Sequence, residues 1–413
     1  MLENVYNIRK EKNLYFILPE SVRNENNVPF HKTAVISYLY YSDTVESYIK
    51  YLKNIPNEID MYIVSSDKGI LEMVAMYLRE REKVFFIEKQ NRGRDVSALL
   101  VACKEIVLKY EYICFIHDKK EKRVCEKKDV KFWIENLWDN TLKSTNYVYN
   151  ILNVFKENPN IGLLVPPEPL GEYFTAWFGN AWSGNFEKTK MLVEKMNLCC
   201  NLDKKFPPIT IGTVLWAKVE AIQKLFGLDW NYEDFDEEPL AIDGTISHAI
   251  ERVFAYVAQD AGYNTGTVMA TCYAEKKMNY LQQVSREAYT LLHNELHIRD
   301  VADLRVYENK KNEILRFVEN NKRIYVYGAG KTGKDCLAFL KRLGKLPTGF
   351  VVTKLLGQEQ AREGVNIYEL QDLVNVKDVG IIIAVGEKYK EDVVLALGEK
   401  GIYNYIEFLE SRE

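Results

Sequence analysis

Short apolar runs that end in polar turns alternate with stretches of helical periodicity over the first 120 residues. Thr33-Ala-Val-Ile-Ser-Tyr-Leu-Tyr reads as a buried strand, and the first folded segment is expected to begin there. Val45, Tyr48, Ile49 and Leu52 then recur at helical spacing. Ile59 to Asp67 reads as a second strand ending in polar residues. Lys83 to Ile87 reads as a third, and Tyr112 to Ile116 as a fourth. A helix is expected from about Val96 to Lys109, after the turn Asn91-Arg-Gly-Arg-Asp95. Strands alternating with helices predict a mostly parallel α/β sheet, which takes ligands at the carboxyl ends of its strands.

The middle of the chain is less regular. It carries Ile161-Gly-Leu-Leu-Val, an aromatic stretch from Tyr173 to Trp182, and Ile211-Gly-Thr-Val-Leu-Trp-Ala. An acidic loop, Glu233 to Glu238, precedes a strong helix that is expected to start near Asp243. Charged helical sequence follows. A second α/β unit opens at Arg323-Ile-Tyr-Val-Tyr-Gly. The expected organisation is a catalytic domain over residues 1–275, a helical linker over 276–321 and a smaller parallel-sheet domain over 322–413.

Composition narrows the function. A formal net charge of −4 without a long Lys/Arg block excludes a nucleic-acid binder, which needs a basic footprint. The seven cysteines are scattered and lack metal-ligand spacing, so they read as reduced, buried thiols. No apolar run approaches the ~20 residues that span a bilayer, and no signal peptide is read. The expectation is a cytoplasmic protein that can touch the inner face of the membrane, with its oligomeric state open.

Two clusters carry candidate chemistry. In the first, the turn Asn91-Arg-Gly-Arg-Asp95 opens a helix, and the next strand ends in His117-Asp118-Lys119-Lys120. A helix start offers amides to an anion. A leaving nucleoside diphosphate needs a metal held on carboxylates, or cationic side chains. Asp118 suits the first role, and Lys119 and Lys120 the second. In the bland alternative Asp95 caps the helix and the charged run is a solvated loop. In the second cluster, Asp243-Gly-Thr-Ile-Ser-His248-Ala-Ile-Glu251-Arg252 places Asp243, Ser247, His248 and Glu251 on one helical face. Acidic neighbours are expected to raise the Asp243 carboxyl toward a useful range.

The order of strand, Asn-x-Gly turn, helix and strand ending in an acidic residue resembles family 2 glycosyltransferases of the GT-A fold. Their Asp-x-Asp is reduced here to His117-Asp118-Lys119. With Gly212-Thr-Val-Leu-Trp-Ala217 and Asp243-Gly-Thr-Ile-Ser-His248, residues 30 to 272 resemble more specifically the rhamnan synthesis protein F family. The resemblance implies a GT-A-like, nucleotide-sugar-binding domain that builds rhamnose-containing or related surface polysaccharides by inverting transfer. It implies a nucleoside-diphosphate sugar donor and a glycan or lipid-linked glycan acceptor. Asp67, Asn91, Arg94, Asp95, Lys119 and Trp216 would bind the nucleotide sugar. Asp243, or else Glu238, would be the base. Asp118 and His248 would serve a divalent Mn or Mg ion. Trp177, Trp182 and Trp216 are candidate sugar-stacking walls, with core packing the alternative for each.

In the second unit, Gly328-Ala-Gly330-Lys-Thr-Gly333 follows a strand and opens a helix, which is the context of a dinucleotide fingerprint. The acidic residue expected after the next strand is replaced by Thr353 and Lys354. The unit therefore reads as a vestigial or scaffold Rossmann-like module, not expected to bind NAD, with nucleotide or sugar binding as the alternative. The rival readings are an NAD-dependent sugar oxidoreductase or epimerase, and a non-catalytic glycan-assembly subunit.

Overall fold

The computed structural model describes residues 14–23, 32–120, 127–168, 182–200, 202–204, 210, 212–237, 240–241, 243–296, 298–355 and 360–408. They fall into two compact units, residues 1–281 and 282–413.

The first unit is built on an eight-stranded sheet. Its strands are β1 (Leu14–Leu18), β2 (Thr33–Tyr38), β3 (Asp60–Ser65), β4 (Val84–Glu88), β5 (Tyr112–His117), β6 (Ile161–Val165), β7 (Leu215–Lys218) and β8 (Asn264–Ala270). Their spatial order is β1-β8-β6-β7-β5-β2-β3-β4. Among the described strands only β7 runs antiparallel to its neighbours, β5 and β6.

Both faces of the sheet are covered, so the central strands are apolar throughout rather than alternating with polar residues. Val35, Met61, Ile63, Cys114 and Ile116 enter one core layer. That layer also holds residues of α1 (Val45–Leu52), α2 (Lys68–Tyr77), α5 (Lys127–Leu142) and α6 (Thr145–Glu157). Ile36, Val64, Ile113 and Phe115 point the other way. They pack with α7 (Phe186–Lys195), α8 (Val219–Phe226) and α9 (Ile246–Asp260).

Three expectations are corrected here. Folded structure begins before Thr33: β1 is an edge strand paired with β8. Its Tyr15 and Ile17 face outward, so the buried-strand pattern is weak. The helix expected over Val96–Lys109 is broken. It runs as α3 (Arg94–Ser97), a π-helical turn over Ala98–Ala102, and α4 (Lys104–Val107). Such a turn inserts a residue into the helical ladder. The cysteines are not all buried. The six described are free thiols; Cys103, Cys114 and Cys336 are buried and Cys199 is exposed.

β2 lies between β3 and β5, so chain connections leave it in opposite directions. This strand-order reversal lies at the carboxyl ends of β2 and β5, the place where open α/β sheets take their ligands.

The second unit holds a six-stranded sheet of β9 (Arg323–Tyr327), β10 (Gly349–Val352), β11 (Ala361–Arg362), β12 (Val365–Glu369), β13 (Val379–Ile383) and β14 (Tyr405–Glu407). The order is β11-β12-β10-β9-β13-β14, parallel except for the β11–β12 pair. The expected linker is two helices, α10 (Thr271–Leu296) and α11 (Val301–Asn320). Ile314 of α11 is fully buried among Ile324, Val326 and Phe339, so this helix belongs to the second unit's core. Among the described residues, no helix is long and apolar enough to cross a membrane.

The glycines of the Gly328–Gly333 turn serve backbone approach. Gly328 has φ +107, and a Cβ on Gly333, in α12 (Lys331–Arg342), would overlap the Gly328 carbonyl oxygen. Gly333→Ala is expected to destabilise this unit by about 3 kcal/mol, read as a lowered denaturant midpoint with wild-type secondary structure below it.

Candidate functional site

β2 and β5 are adjacent and in register, Tyr38 opposite His117. The residues that follow them therefore meet. The Asp118 side chain reaches across, and its Oδ2 accepts the backbone N–H groups of Tyr40 at 2.9 Å and Tyr41 at 2.8 Å. Its Oδ1 is buried and has no hydrogen-bond partner among the described residues. Asp118 is only 4% exposed. Burial, opposed by those two backbone hydrogen bonds, pushes its carboxyl up to about 6.

His117 ties three segments together. Its Nδ1 lies 2.8 Å from the Asp118 carbonyl oxygen and its Nε2 lies 2.6 Å from that of Gly212. Asp95 Oδ2 is 3.6 Å from Nε2. Burial alone would raise the Asp95 carboxyl. The charges of His117 and Lys119, with hydrogen bonds from its own backbone and from Thr213, bring it below the ordinary range.

Lys119 lies half-buried beside them, its ammonium 3.8 Å from the centre of the Trp133 ring. Burial pushes that ammonium below the usual lysine range, against the pull of Glu251 and Asp95. No described residue accepts a hydrogen bond from its Nζ.

The turns that frame this cluster depart from ordinary backbone conformations. Gly93 and Arg94 have φ +73 and +45, and Gly212 and Thr213 have φ +88 and +50. A β-branched residue such as Thr213 is disfavoured there, so the surrounding structure must hold it. Part of that hold is visible. Glu251 of α9 accepts the Gly212 N–H at 3.0 Å through Oε1. The Thr210 hydroxyl donates to the Glu251 carbonyl oxygen. Arg92 donates from Nε to the Phe235 carbonyl oxygen at 2.9 Å and from Nη2 to that of Glu233 at 3.3 Å, clipping the acidic loop onto the Asn91–Asp95 turn.

The sequence candidates thus separate. Asp95, Asp118, Lys119 and Arg94 come together, and Arg94 acts electrostatically on Lys119. Glu251 and His248 approach them from α9, since Asp95 acts on His248 and Glu251 on Lys119. Asn91 is exposed on the same turn. Asp67 is exposed and caps α2 by accepting the Gly69 N–H at 2.8 Å. Trp216 is corrected to a core residue. It is 1% exposed in β7 and donates its indole N–H to Thr141, so it presents no face to a sugar. Trp182 is likewise core, packed on Phe186 and Tyr256. Glu238 and Trp177 lie outside the described residues.

Asp243 stands apart from its expected electrostatics. Its Oδ2 accepts from the Ser183 hydroxyl at 2.6 Å and the Gly184 N–H at 3.1 Å, and its Oδ1 accepts from Asn185 Nδ2 at 2.6 Å. Burial would raise this carboxyl, but those donors hold it well below the usual carboxylate range. The expected rise is therefore corrected, because donors rather than acids surround it. The α9 cap is Thr245, whose hydroxyl lies 2.7 Å from His248 Nδ1 in a capping box. Asp243→Ala is expected to cost about 2 kcal/mol at pH 7 in denaturant unfolding. A depressed folded value stabilises above the unfolded carboxyl range and is lost as pH falls through the folded value, so the deficit should shrink toward acid.

The described residues do not fit a divalent ion held on a carboxylate pair. Of Asp118 only Oδ1 is available, His117 uses both ring nitrogens, and His248 uses Nδ1. Among the described residues, no three His, Cys, Asp or Glu side chains gather as a metal site.

Sequence reasoning missed the amides of Tyr40 and Tyr41, the clip made by Arg92, and the strained Thr213. The rule that parallel sheets bind at strand ends pointed to the first of these. In the second unit, Thr353 Oγ1 lies 2.7 Å from Tyr327 Oη, filling the position where an acidic residue was sought.

Two proteins described as "Uncharacterized protein WxcX", from two strains of Xanthomonas campestris pv. campestris, are each 23% identical to the chain over 238 residues. The match covers 57% of this chain and 33% of each of them, so the chain spans about a third of the curated relatives it matches. A solved structure titled "Nitrogenase Cp1 at pH 6.5" aligns over 99% of this chain and 89% of its own, at 10% identity. Its TM-score of 0.16 carries no structural argument. The family described as Rhamnan synthesis protein F matches residues 1–263, which hold the whole cluster from Tyr40 to Glu251, and the chain belongs to that family.

Proposed function

We propose that this chain is a glycosyltransferase that moves a sugar, rhamnose among the candidates, from a nucleoside-diphosphate donor to a growing surface polysaccharide. The observation that carries this reading is the charged cluster at the carboxyl ends of β2 and β5. It lies at the sheet's strand-order reversal and within the residues shared with a rhamnan-synthesis family. The single antiparallel strand in an otherwise parallel sheet supports a GT-A-like reading of the first unit. The parallel sheet and glycine turn of the second support a Rossmann-like one.

The roles follow from the side chains. Arg94 and Lys119 meet the charge that grows on the leaving diphosphate. The unpartnered Oδ1 of Asp118 accepts a hydroxyl of the bound donor, which relieves the cost of burying that oxygen alone. Asp95, His117 and Glu251 keep the two turns in place. Asp243, saturated with donors, clips the start of α7 to the residues before α9; it is not assigned as the base. We propose inverting transfer by a single displacement: the acceptor hydroxyl attacks the anomeric carbon as the bond to the diphosphate breaks, and its proton passes to a carboxylate, for which Glu238 is the remaining sequence candidate.

A panel of UDP-, GDP- and dTDP-sugars, scored for hydrolysis and for transfer to glycan acceptors, tests the reading. Turnover of one donor class is expected. No turnover of any donor would contradict it and would favour a non-catalytic role in glycan assembly.

A further inference from the structure

Two neighbouring residues of the cluster carry unused hydrogen-bonding capacity of opposite kind. Asp118 is buried with Oδ1 unpartnered, and Lys119 keeps its ammonium on the Trp133 face without an acceptor among the described residues. The other acids of the cluster are already compensated. Asp95 faces His117 at 3.6 Å and feels Lys119. Glu251 holds the Gly212 N–H and faces Lys119. A dication placed among these carboxylates would share their field with a lysine already there, and ions of like charge repel at such range.

We propose that Lys119 takes the place of a divalent metal in this protein: its ammonium binds the diphosphate of the donor directly, so nucleotide recognition proceeds without Mn or Mg. This rests on the donor reading given above and adds to it the identity of the counter-charge. The stem of Lys119 packs where it can hold the charge still. Gly212 lies against both groups: a Cβ built on it would stand 3.4 Å from Lys119 Cε and 3.4 Å from Trp133, in ordinary contact with each. An ammonium on an aromatic face is less hydrated than one in water, and a charge-assisted bond from it to a phosphate oxygen is correspondingly strong.

The test is calorimetric titration of the full-length chain with UDP, GDP and dTDP and their monophosphates, in EDTA and again in manganese. At least one diphosphate is expected to bind in EDTA within about threefold of its affinity in manganese. Lys119→Met, which keeps the stem on Trp133, should weaken that diphosphate about 30-fold and its monophosphate much less. Lys119→Arg should recover most of the loss. Binding that vanishes in EDTA and returns with manganese, with Lys119→Met like wild type, would overturn the proposal and leave the donor reading standing. No binding of any nucleotide under either condition would overturn both. The wild-type comparison decides even if a variant folds poorly.

Discussion

Asp118→Asn is expected to lower kcat/KM for sugar transfer about 100-fold while flattening the protein's loss of stability between pH 4 and pH 7. The two effects have one cause. Asp118 is held by the Tyr40 and Tyr41 amides through Oδ2, and asparagine can keep both bonds with its amide oxygen. What it loses is the charge and the acceptor at Oδ1. The raised carboxyl fixes the sign. Its folded value of about 6 lies above the ordinary 3.8, so the folded state binds its proton more tightly than the unfolded chain. Stability then falls as pH rises from the ordinary carboxyl range through about 6, and no further loss comes from this group above that. A shift of this size corresponds to about 3 kcal/mol, which asparagine would not forfeit. Denaturant midpoints of both proteins at pH 4.5, 6 and 7.5 measure it. A variant that is less stable than wild type by the same margin at all three would show that the buried charge is not the source.

Gly93→Ala is expected to cost at least about 3 kcal/mol and to abolish transfer as well. Gly93 has φ +73, where an L side chain is strained. A Cβ there would also lie 2.5 Å from Cγ of the buried Phe235 and 2.7 Å from Ser97 Cβ. Phe235 is the residue whose carbonyl oxygen Arg92 grips, so pushing it out releases the acidic loop from the turn that carries Arg94 and Asp95. Gly212→Ala makes an informative contrast. Its φ is +88, but its nearest neighbours stand at 3.3 to 3.4 Å and are side chains. It should cost about 1 kcal/mol, nearly all of it conformational. Thermal unfolding of the two variants side by side should rank Gly93→Ala as the more damaging; equal losses would show that the Phe235 contact yields freely.

Much of the first unit was legible because buried parallel strands announce themselves. Thr33–Tyr38, Tyr112–His117 and the turn at Asn91 were readable as runs and breaks, and with them the strand end that carries Asp118. The edge strand Leu14–Leu18 was not, since its Tyr15 and Ile17 face outward. Trp216 was misplaced because an aromatic in a short apolar run looks the same whether its ring meets a sugar or a core. Only its neighbours across the sheet, Cys114 and Leu164, decide that. The surroundings of Asp243 were misjudged for a related reason. In space Ser183, Gly184 and Asn185 supply donors to it, from a segment 58 to 60 residues away in the chain. The meeting of Tyr40 and Tyr41 with Asp118, 78 and 77 residues apart, is set by the register of β2 against β5, which no local pattern contains.

The central claim is that a nucleotide-sugar donor binds where β2 and β5 end. Amide hydrogen exchange of the full chain, with and without the nucleoside diphosphate that its preferred donor carries, tests this most directly. The account predicts added protection at Tyr40–Tyr41, Arg92–Asp95, Asp118–Lys119 and Gly212–Thr213 together. Protection confined to the Gly328–Gly333 turn of the second unit, with those four segments unchanged, would contradict it.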